Sequence, residues 1–166
     1  MENKIIDGVA AICKILNTHL VEYLIIGGAA VALHGFYRLS HDLSGRPMEK
    51  PDLDFWYNPT YDNYYSLLKA LHDLGLDVTE FVEEISPEPK RSFFKLETDN
   101  YKIDFLPEVL GLSKFRSSFD IAIGTRIREV EIRYLNYDDL ITSKKAVDRA
   151  KDIEDLEQLK LRRGNR

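Results

Sequence analysis

The chain has 166 residues, of which 44% are hydrophobic and 31% charged, and its net charge is −5. This composition excludes intrinsic disorder and a globally basic nucleic-acid-binding protein. The single cysteine, Cys13, excludes an intrachain disulfide framework and favours a reducing compartment. The least polar run, residues 24–33, is too short to cross a bilayer, and no signal peptide is visible. We therefore expect a cytoplasmic globular domain without membrane contact.

Apolar spacing and turn residues predict the elements of the first half of the chain. In chain order they are a helix over residues 4–20, a buried strand over 22–26, a helix over 29–34, a surface loop over 37–51, a strand over 52–57, a helix over 61–74 and a possible strand over 76–82.

The second half is predicted to contain strands at residues 92–97, 101–106, 119–123 and 128–135, followed by helical structure from 137 to about 162. The order indicates a mixed α/β (α+β) fold with a short twisted sheet of about five strands, flanking helices and a helical C-terminal tail. A long βαβ series is lacking, which argues against a doubly wound nucleotide fold. We expect a single domain over residues 1–166, with its core at about 22–135.

The first candidate for chemistry is the glycine pair Gly27-Gly28, between a buried strand and a helix. Glycines let a backbone approach a ligand closely, and a following helix presents free N–H groups that favour an anion. A tight turn that needs small residues explains the pair equally well. The pair is not a Walker loop, because no Gly-Lys-Ser/Thr follows.

The second candidate is the pair Asp52 and Asp54. Residues i and i+2 of a strand share a face, with Cα atoms about 6–7 Å apart. Two carboxylates this close repel unless a cation lies between them, and oxygen ligands suit Mg²⁺ or Mn²⁺. The alternative is a solvated charge pair, which the apolar neighbours Leu53, Phe55 and Trp56 disfavour.

Two further candidates are charged residues that lie in otherwise apolar segments. Asp104 is one acid in the strand 101–106, and it either joins Asp52 and Asp54 in a three-carboxylate site for two metals or faces water at a sheet edge. Lys144 lies on the apolar stripe of the late helix, where it either reaches a phosphate or extends outward to solvent. The four histidines lack metal-ligand spacing, and we expect His34 to be packed or solvated.

Together these segments resemble the minimal nucleotidyltransferase superfamily, with its polymerase-beta-like fold. The closer resemblance is to bacterial stand-alone members, including the AbiEii-type toxins. The segments that carry it are residues 25–35, Arg38, Asp52-Leu53-Asp54-Phe55, Ile103-Asp104, and 143–155 with Lys144, Arg149, Asp152 and Asp155.

The resemblance implies that Gly27 and Gly28 hold the tail of a nucleoside triphosphate such as ATP. It implies that Asp52 and Asp54 bind Mg²⁺ (or Mn²⁺), and that Asp104 also binds metal and helps to activate the acceptor hydroxyl. Arg38 and Lys144 would contact the nucleotide.

One spacing departs from the family pattern. The family often places its acid pair about a dozen residues after the glycines, whereas Asp52 follows Gly28 by 24 residues. The segment His41-Asp42-Leu43-Ser44 lies nearer the usual place, but Ser44 cannot supply a second anionic ligand. We therefore choose Asp52 and Asp54, and interpret residues 39–51 as an inserted loop that contacts substrate phosphates.

The sequence thus predicts a metal-dependent nucleotidyltransferase that moves a nucleoside monophosphate to an acceptor hydroxyl. The acceptor stays open between RNA, a protein and a small molecule, and the resemblance to AbiEii-type toxins suggests an antitoxin partner. The alternative is a non-catalytic module that senses nucleotides or binds a partner. A metal-dependent phosphohydrolase is a third interpretation.

Overall fold

The computed structural model describes residues 2–37, 44, 46 and 50–165. The helices are α1 (Glu2–Thr18), α2 (Gly27–Leu33), α3 (Tyr61–Asp73), α4 (Thr79–Glu83), α5 (Phe115–Asp120), α6 (Tyr137–Val147) and α7 (Ala150–Gly164), with a 3₁₀ turn at Pro89–Arg91. The strands are β1 (Tyr23–Ile26), β2 (Asp52–Tyr57), β3 (Phe94–Glu97), β4 (Lys102–Leu106), β5 (Ile123–Ile127) and β6 (Val130–Tyr134). None of the described helices is both long and apolar enough to cross a membrane.

The described strands form one six-stranded mixed sheet in the order β3-β4-β2-β1-β6-β5. The central pair β1/β2 is antiparallel, whereas β2/β4 and β1/β6 are parallel. The outer pairs β3/β4 and β5/β6 are antiparallel. The predicted α/β class and the short mixed sheet are confirmed, with one strand more than the five expected.

Alternation along the strands divides the apolar side chains between two cores. In β1, Tyr23 and Ile25 pack into the larger core, whereas Leu24 and Ile26 face the smaller core. The larger core lies against α1 and α3, and the smaller one contains side chains of α2, α6 and α7. The sheet therefore carries a helical layer on each face.

The possible strand over residues 76–82 is wrong, because this segment contains α4. The Asp77 carboxylate accepts hydrogen bonds from the Thr79 amide at 3.0 Å and from the Thr79 hydroxyl at 2.7 Å. Such a local bond holds the backbone in a turn that starts a helix. The apolar residues of the segment suggest a strand, but the backbone after Val78 forms a short helix instead.

The expected strand over residues 119–123 is also misplaced. Helix α5 ends at Asp120, and β5 occupies Ile123–Ile127. The hairpin to β6 turns through Arg128 and Glu129, whose φ angles are +46° and +64°. Two positive φ values are typical of the tightest hairpin turns, which usually contain Asn or Gly. Arg-Glu gives no such signal, so the sequence pattern missed the turn.

The C-terminal tail consists of two helices instead of one continuous helix. Asp148 ends α6 in the left-handed conformation with φ +52°, and its amide donates to the Lys144 carbonyl at 3.1 Å. The Asp152 carboxylate then accepts from the Arg149 amide at 3.3 Å at the start of α7.

A buried ion triad of Lys144, Asp152 and Asp155 fastens the two helices together. Lys144 Nζ lies 2.9 Å from Asp152 Oδ1 and 2.8 Å from Asp155 Oδ2, and all three side chains are almost fully buried. Arg149 Nε adds a contact of 2.7 Å to Asp152 Oδ2. Burial by itself would raise the pKa of Asp152, but hydrogen bonds from Arg149 and Lys144 and their positive charges lower it overall.

We predict that Lys144→Met lowers the free energy of unfolding by about 3–5 kcal/mol, because it leaves two buried carboxylates without their shared cation. Urea denaturation at pH 7 measures the change, and Lys145→Met, at an exposed neighbouring position, is the matched control. Because the pKa of Asp152 is lowered by folding, its stabilising contribution in the wild type is present above the ordinary Asp pKa and is lost as the pH falls. Equal stability of the two variants would contradict the role of the triad.

Candidate functional site

The sheet brings the three predicted acids to one face. Asp52 and Asp54 alternate with Leu53 and Phe55, which point into the larger core, so both acids lie on the opposite face, where the smaller core sits. On β4, Asp104 stands between the larger-core residues Ile103 and Phe105 and therefore shares that face.

The parallel pairing of β2 with β4 sets Asp54 directly beside Asp104. On the other side of Asp104, β3 presents Lys95 in register. One pleat away, Asp52 stands beside Lys102. Each of these acids therefore has a charged neighbour across the strands, and only the Asp54–Asp104 contact joins like charges.

The electrostatics of the pair follow from this register. Burial raises the pKa of Asp54 to about 6, and the negative charges of Asp104 and Asp52 contribute to the rise. The positive charges of Lys144 and Lys151 act in the opposite direction. Burial also raises the pKa of Asp104, with Lys95 opposing the rise. The pair is thus a concentrated negative charge that a cation would stabilise.

Gly27 makes room for the Asp54 carboxylate. Its φ is +60°, a conformation that residues with a side chain rarely adopt, and an added Cβ would clash with Asp54 Oδ2. The turn from β1 into α2 therefore passes directly against the acid, and both space and backbone conformation require glycine here. Gly28 follows as the second residue of the seven-residue helix α2.

These groups open into a cleft of about 300 Å³. Gly27, Asp54 and Asp104 line it from the β1–α2 turn and the sheet, residues 108–110 line it from the loop after β4, and Lys144 and Val147 line it from α6. The cleft thus combines four acids (Asp54, Asp104, Glu108 and Asp152) with Lys144, Arg149 and apolar side chains.

The donor set suits an open metal site better than a closed one. Within the described ranges, no group of three or more His, Cys, Asp or Glu side chains is close enough to hold an ion. The pair Asp54 and Asp104 is a different kind of site, because Mg²⁺ is commonly held by one or two carboxylates, several waters and substrate phosphates. The carboxylate pair fits a divalent ion of that kind.

Of the other predicted residues, Lys144 lines the cleft and Asp52 lies nearby on the same sheet face. Asp52 shares the face of Asp54 but does not line the cleft, whereas Lys144 lines it with its ammonium group held by the ion triad. His34 is half-buried and bonds the Leu135 carbonyl at 2.8 Å, in agreement with a packed histidine. Arg38, like the alternative acid segment 41–43, lies outside the described residues.

The sequence pattern missed the loop that lines the cleft after β4. Trp56 Nε1 donates to the Pro107 carbonyl at 3.0 Å at the start of this loop. Gly111, with φ +86°, lies so close to α6 that a Cβ would meet Ala146 and the Thr142 carbonyl. This packing places Glu108 and Leu110 at the cleft. Pro107 and Gly111 mark a loop in the sequence, but not its position.

No protein-family model matches the sequence, and a search of curated proteins also gave no match. The solved structures that are similar in fold include the following two. The first is an antigenic nucleotidyltransferase-like protein from Paracoccidioides brasiliensis, with 14% identity, a TM-score of 0.51, and coverage of 95% of this chain and 75% of that one. The second is the lincosamide antibiotic adenylyltransferase LnuA in its lincomycin-bound form, with 16% identity, a TM-score of 0.58, and coverage of 90% and 92%.

At this level of identity the likeness concerns the fold. The two alignments cover 95% and 90% of this chain. The chain has the fold of nucleotidyltransferase-like proteins.

Proposed function

We propose that the chain is a nucleotidyltransferase that moves a nucleoside monophosphate from a nucleoside triphosphate to an acceptor hydroxyl. The observation that carries the proposal is the registered pair Asp54 and Asp104, which meet beside Gly27 in one cleft. The similarity in fold to a nucleotidyltransferase-like protein and to an adenylyltransferase supports the same class of reaction.

In the proposed reaction the acceptor oxygen forms a bond to the α-phosphorus, and the bond from that phosphorus to the pyrophosphate oxygen breaks. Asp54 and Asp104 would hold Mg²⁺ or Mn²⁺, with Asp52 adding negative charge from the same strand face. The metal, when bound, neutralises charge on the phosphates. Asp104 accepts the proton of the acceptor hydroxyl, and the cleft orients the two reactants.

The backbone at Gly27 and Gly28 would lie along the triphosphate tail, because a side chain at Gly27 would close the space beside Asp54. Lys144 lines the cleft and adds positive charge near the phosphates while the triad fixes its position. We keep Arg38 in the proposal as a nucleotide contact from the sequence alone.

Three chemical classes of acceptor are compatible with the proposed reaction. LnuA is a lincosamide adenylyltransferase solved with lincomycin, so a small hydroxyl compound is the first acceptor to test. RNA and a protein hydroxyl are the others. A role as a bacterial AbiEii-type toxin with an antitoxin partner rests on the sequence resemblance alone, and neutralisation by a second protein would support it.

A second candidate is a nucleotide-binding module without transfer activity. It is favoured by the finding that the described residues hold no three-ligand metal group. Incubation with each labelled nucleoside triphosphate and Mg²⁺, with and without total RNA or a lincosamide, separates the two candidates. Transfer with pyrophosphate release supports the enzyme, whereas binding without turnover supports the module.

We predict that Asp54→Asn reduces the transfer rate at least about 100-fold, because the transition state loses a charged group that positions the neutralising cation. The same variant should be more stable than the wild type at pH 7, by about 1–3 kcal/mol. The sign follows from the raised pKa of Asp54, since its ionisation weakens the folded state as the pH rises through about 6.

Pyrophosphate release and urea denaturation measure both effects of Asp54→Asn. Asp120→Asn, which removes an exposed acid at the end of α5, is the control and should change neither property. A transfer rate in Asp54→Asn equal to that of the wild type would remove this residue from the proposed site.

We predict that Mn²⁺ binding to the free protein strengthens as the pH rises from about 5 to 7, with a midpoint near the Asp54 pKa of about 6. Asp104→Asn removes a like charge, so the remaining Asp54 should titrate at a lower pH. Mn²⁺ titration followed by electron paramagnetic resonance measures the midpoint. Glu108→Gln, which removes an exposed acid of the same cleft, should leave the pH midpoint of Mn²⁺ binding unchanged. A midpoint that is the same in Asp104→Asn and in the wild type would contradict the coupling between Asp54 and Asp104.

We predict that Gly27→Ala destabilises the protein by about 1–3 kcal/mol, because alanine is strained at φ +60°. It should also weaken nucleoside triphosphate binding in the presence of Mg²⁺, since its Cβ displaces the Asp54 carboxylate. Gly124→Ala is the matched control, because a Cβ at Gly124 meets no atom within 4 Å. Isothermal titration calorimetry reports the affinity, and similar behaviour of the two variants would show that the Gly27 contact is unimportant.

A further inference from the structure

A second cleft of about 200 Å³ lies apart from the acids, at the other ends of the helices that line the first one. It is lined by His34, Ile123, Tyr137, Leu159, Arg162 and Arg163. Helix α2 begins with Gly27 at the acidic cleft, and His34, which caps its C-terminal end, lines the second cleft. Helix α7 likewise carries Asp152 at the acidic cleft and Arg162 at the second one. The rise of a helix places these two α7 residues about 15 Å apart along its axis.

Arg162 supplies uncompensated positive charge to this cleft. Among the described residues, its guanidinium has no hydrogen bond and no ion pair. It lies against the backbone of Gly35, where an added Cβ would come within 3.3 Å of its terminal nitrogen. Gly35 has φ +100° and therefore both makes the turn after α2 and leaves space for the arginine.

Arg163 and Tyr137 form a flat surface beside Arg162. The Arg163 guanidinium lies 4.3 Å from the centre of the Tyr137 ring. It also pairs with the exposed Asp138 carboxylate at 3.2 Å. Since Asp138 offsets the charge of Arg163, the net positive charge of the cleft comes from Arg162.

His34 adds a polar edge to the same cleft. Its Nε2 lies 2.8 Å from the Leu135 carbonyl oxygen, which can only accept, so Nε2 carries a proton. The rings of Tyr134 and Tyr137 form T-shaped contacts with the His34 ring, at centroid distances of 5.2 and 6.2 Å. The histidine is thus held in one orientation at the end of α2.

We propose that this second cleft is a phosphate-binding subsite centred on Arg162. An arginine fork matches the oxygens of a phosphate in a bidentate manner, and an uncompensated guanidinium is the group that such an anion would neutralise. The cleft is large enough for a phosphate group, and the stacked Arg163 and Tyr137 offer a flat surface to what is attached to it. The inference stands independently of the reaction proposed above.

Two sources could supply the phosphate: a free phosphorylated small molecule, or a nucleic-acid strand whose backbone crosses the cleft. Titration with inorganic phosphate, followed by phosphorus NMR, tests the first source. Fluorescence anisotropy with a labelled single-stranded oligoribonucleotide tests the second, and its salt dependence should be steep because phosphate neutralisation releases counterions.

The informative variant is Arg162→Ala, and Lys160→Ala is its control. Both substitutions remove one positive charge from α7, but the Lys160 side chain does not line the cleft. We expect Arg162→Ala to weaken binding of at least one of the two probes 10-fold or more, while Lys160→Ala changes it less than 3-fold. Nucleoside triphosphate binding with Mg²⁺ should be unchanged in Arg162→Ala, which separates this subsite from the acidic cleft.

The result for the wild type and the two variants decides the proposal. Loss of phosphate binding in Arg162→Ala supports a site for small phosphorylated molecules, and loss of oligoribonucleotide binding supports a strand. Absence of binding of both probes to the wild type overturns the subsite. Equal effects of Arg162→Ala and Lys160→Ala also overturn it, since they would reflect general charge attraction.

Discussion

The parallel pairing of β2 with β4 is the constraint on which the rest of the site depends. It sets Asp54 beside Asp104 on one sheet face, where burial raises the pKa of both acids; the charge of Asp104 adds to the rise at Asp54, and the charge of Asp52 adds to the rise at both. A slip of one residue would turn one acid into the larger core, where a carboxylate has no partner. The flanking Leu53, Phe55, Ile103 and Phe105 fix the register by filling that core.

The repulsion between these acids costs stability, and the surrounding charges partly offset the cost. Lys95 is aligned with Asp104 across β3, and Lys144 and Lys151 act on Asp54 from the C-terminal helices. Lys144 is itself held by Asp152 and Asp155. The ion triad therefore connects the packing of α6 and α7 with the electrostatics of the cleft. Strain of this kind is typical of functional sites, where a destabilised arrangement is retained for chemistry.

Several site elements were predictable from the sequence because their signals are local. The alternation around Asp52, Asp54 and Asp104 indicated both the strands and the shared face of the first two acids. The spacing also placed Lys144 on an apolar stripe, and of the two interpretations it left open, extension outward to solvent is wrong, because the side chain is buried against Asp152 and Asp155. Its partners were less predictable, because the helix break at Asp148 depends on a left-handed residue that the periodic pattern does not reveal. The hairpin turn at Arg128 and Glu129 was missed for the same reason.

The fold class, most of the strands and helices, and the residues that could carry charge chemistry follow from the sequence, since hydrophobic periodicity and glycine placement are local properties. The folded chain was needed to show that Asp104 is adjacent to Asp54, that Gly27 lies against the Asp54 carboxylate, and that the loop carrying Glu108 and Leu110 lines the cleft. These relations join residues far apart in the chain, and they arise from strand order and helix packing, which no local pattern encodes.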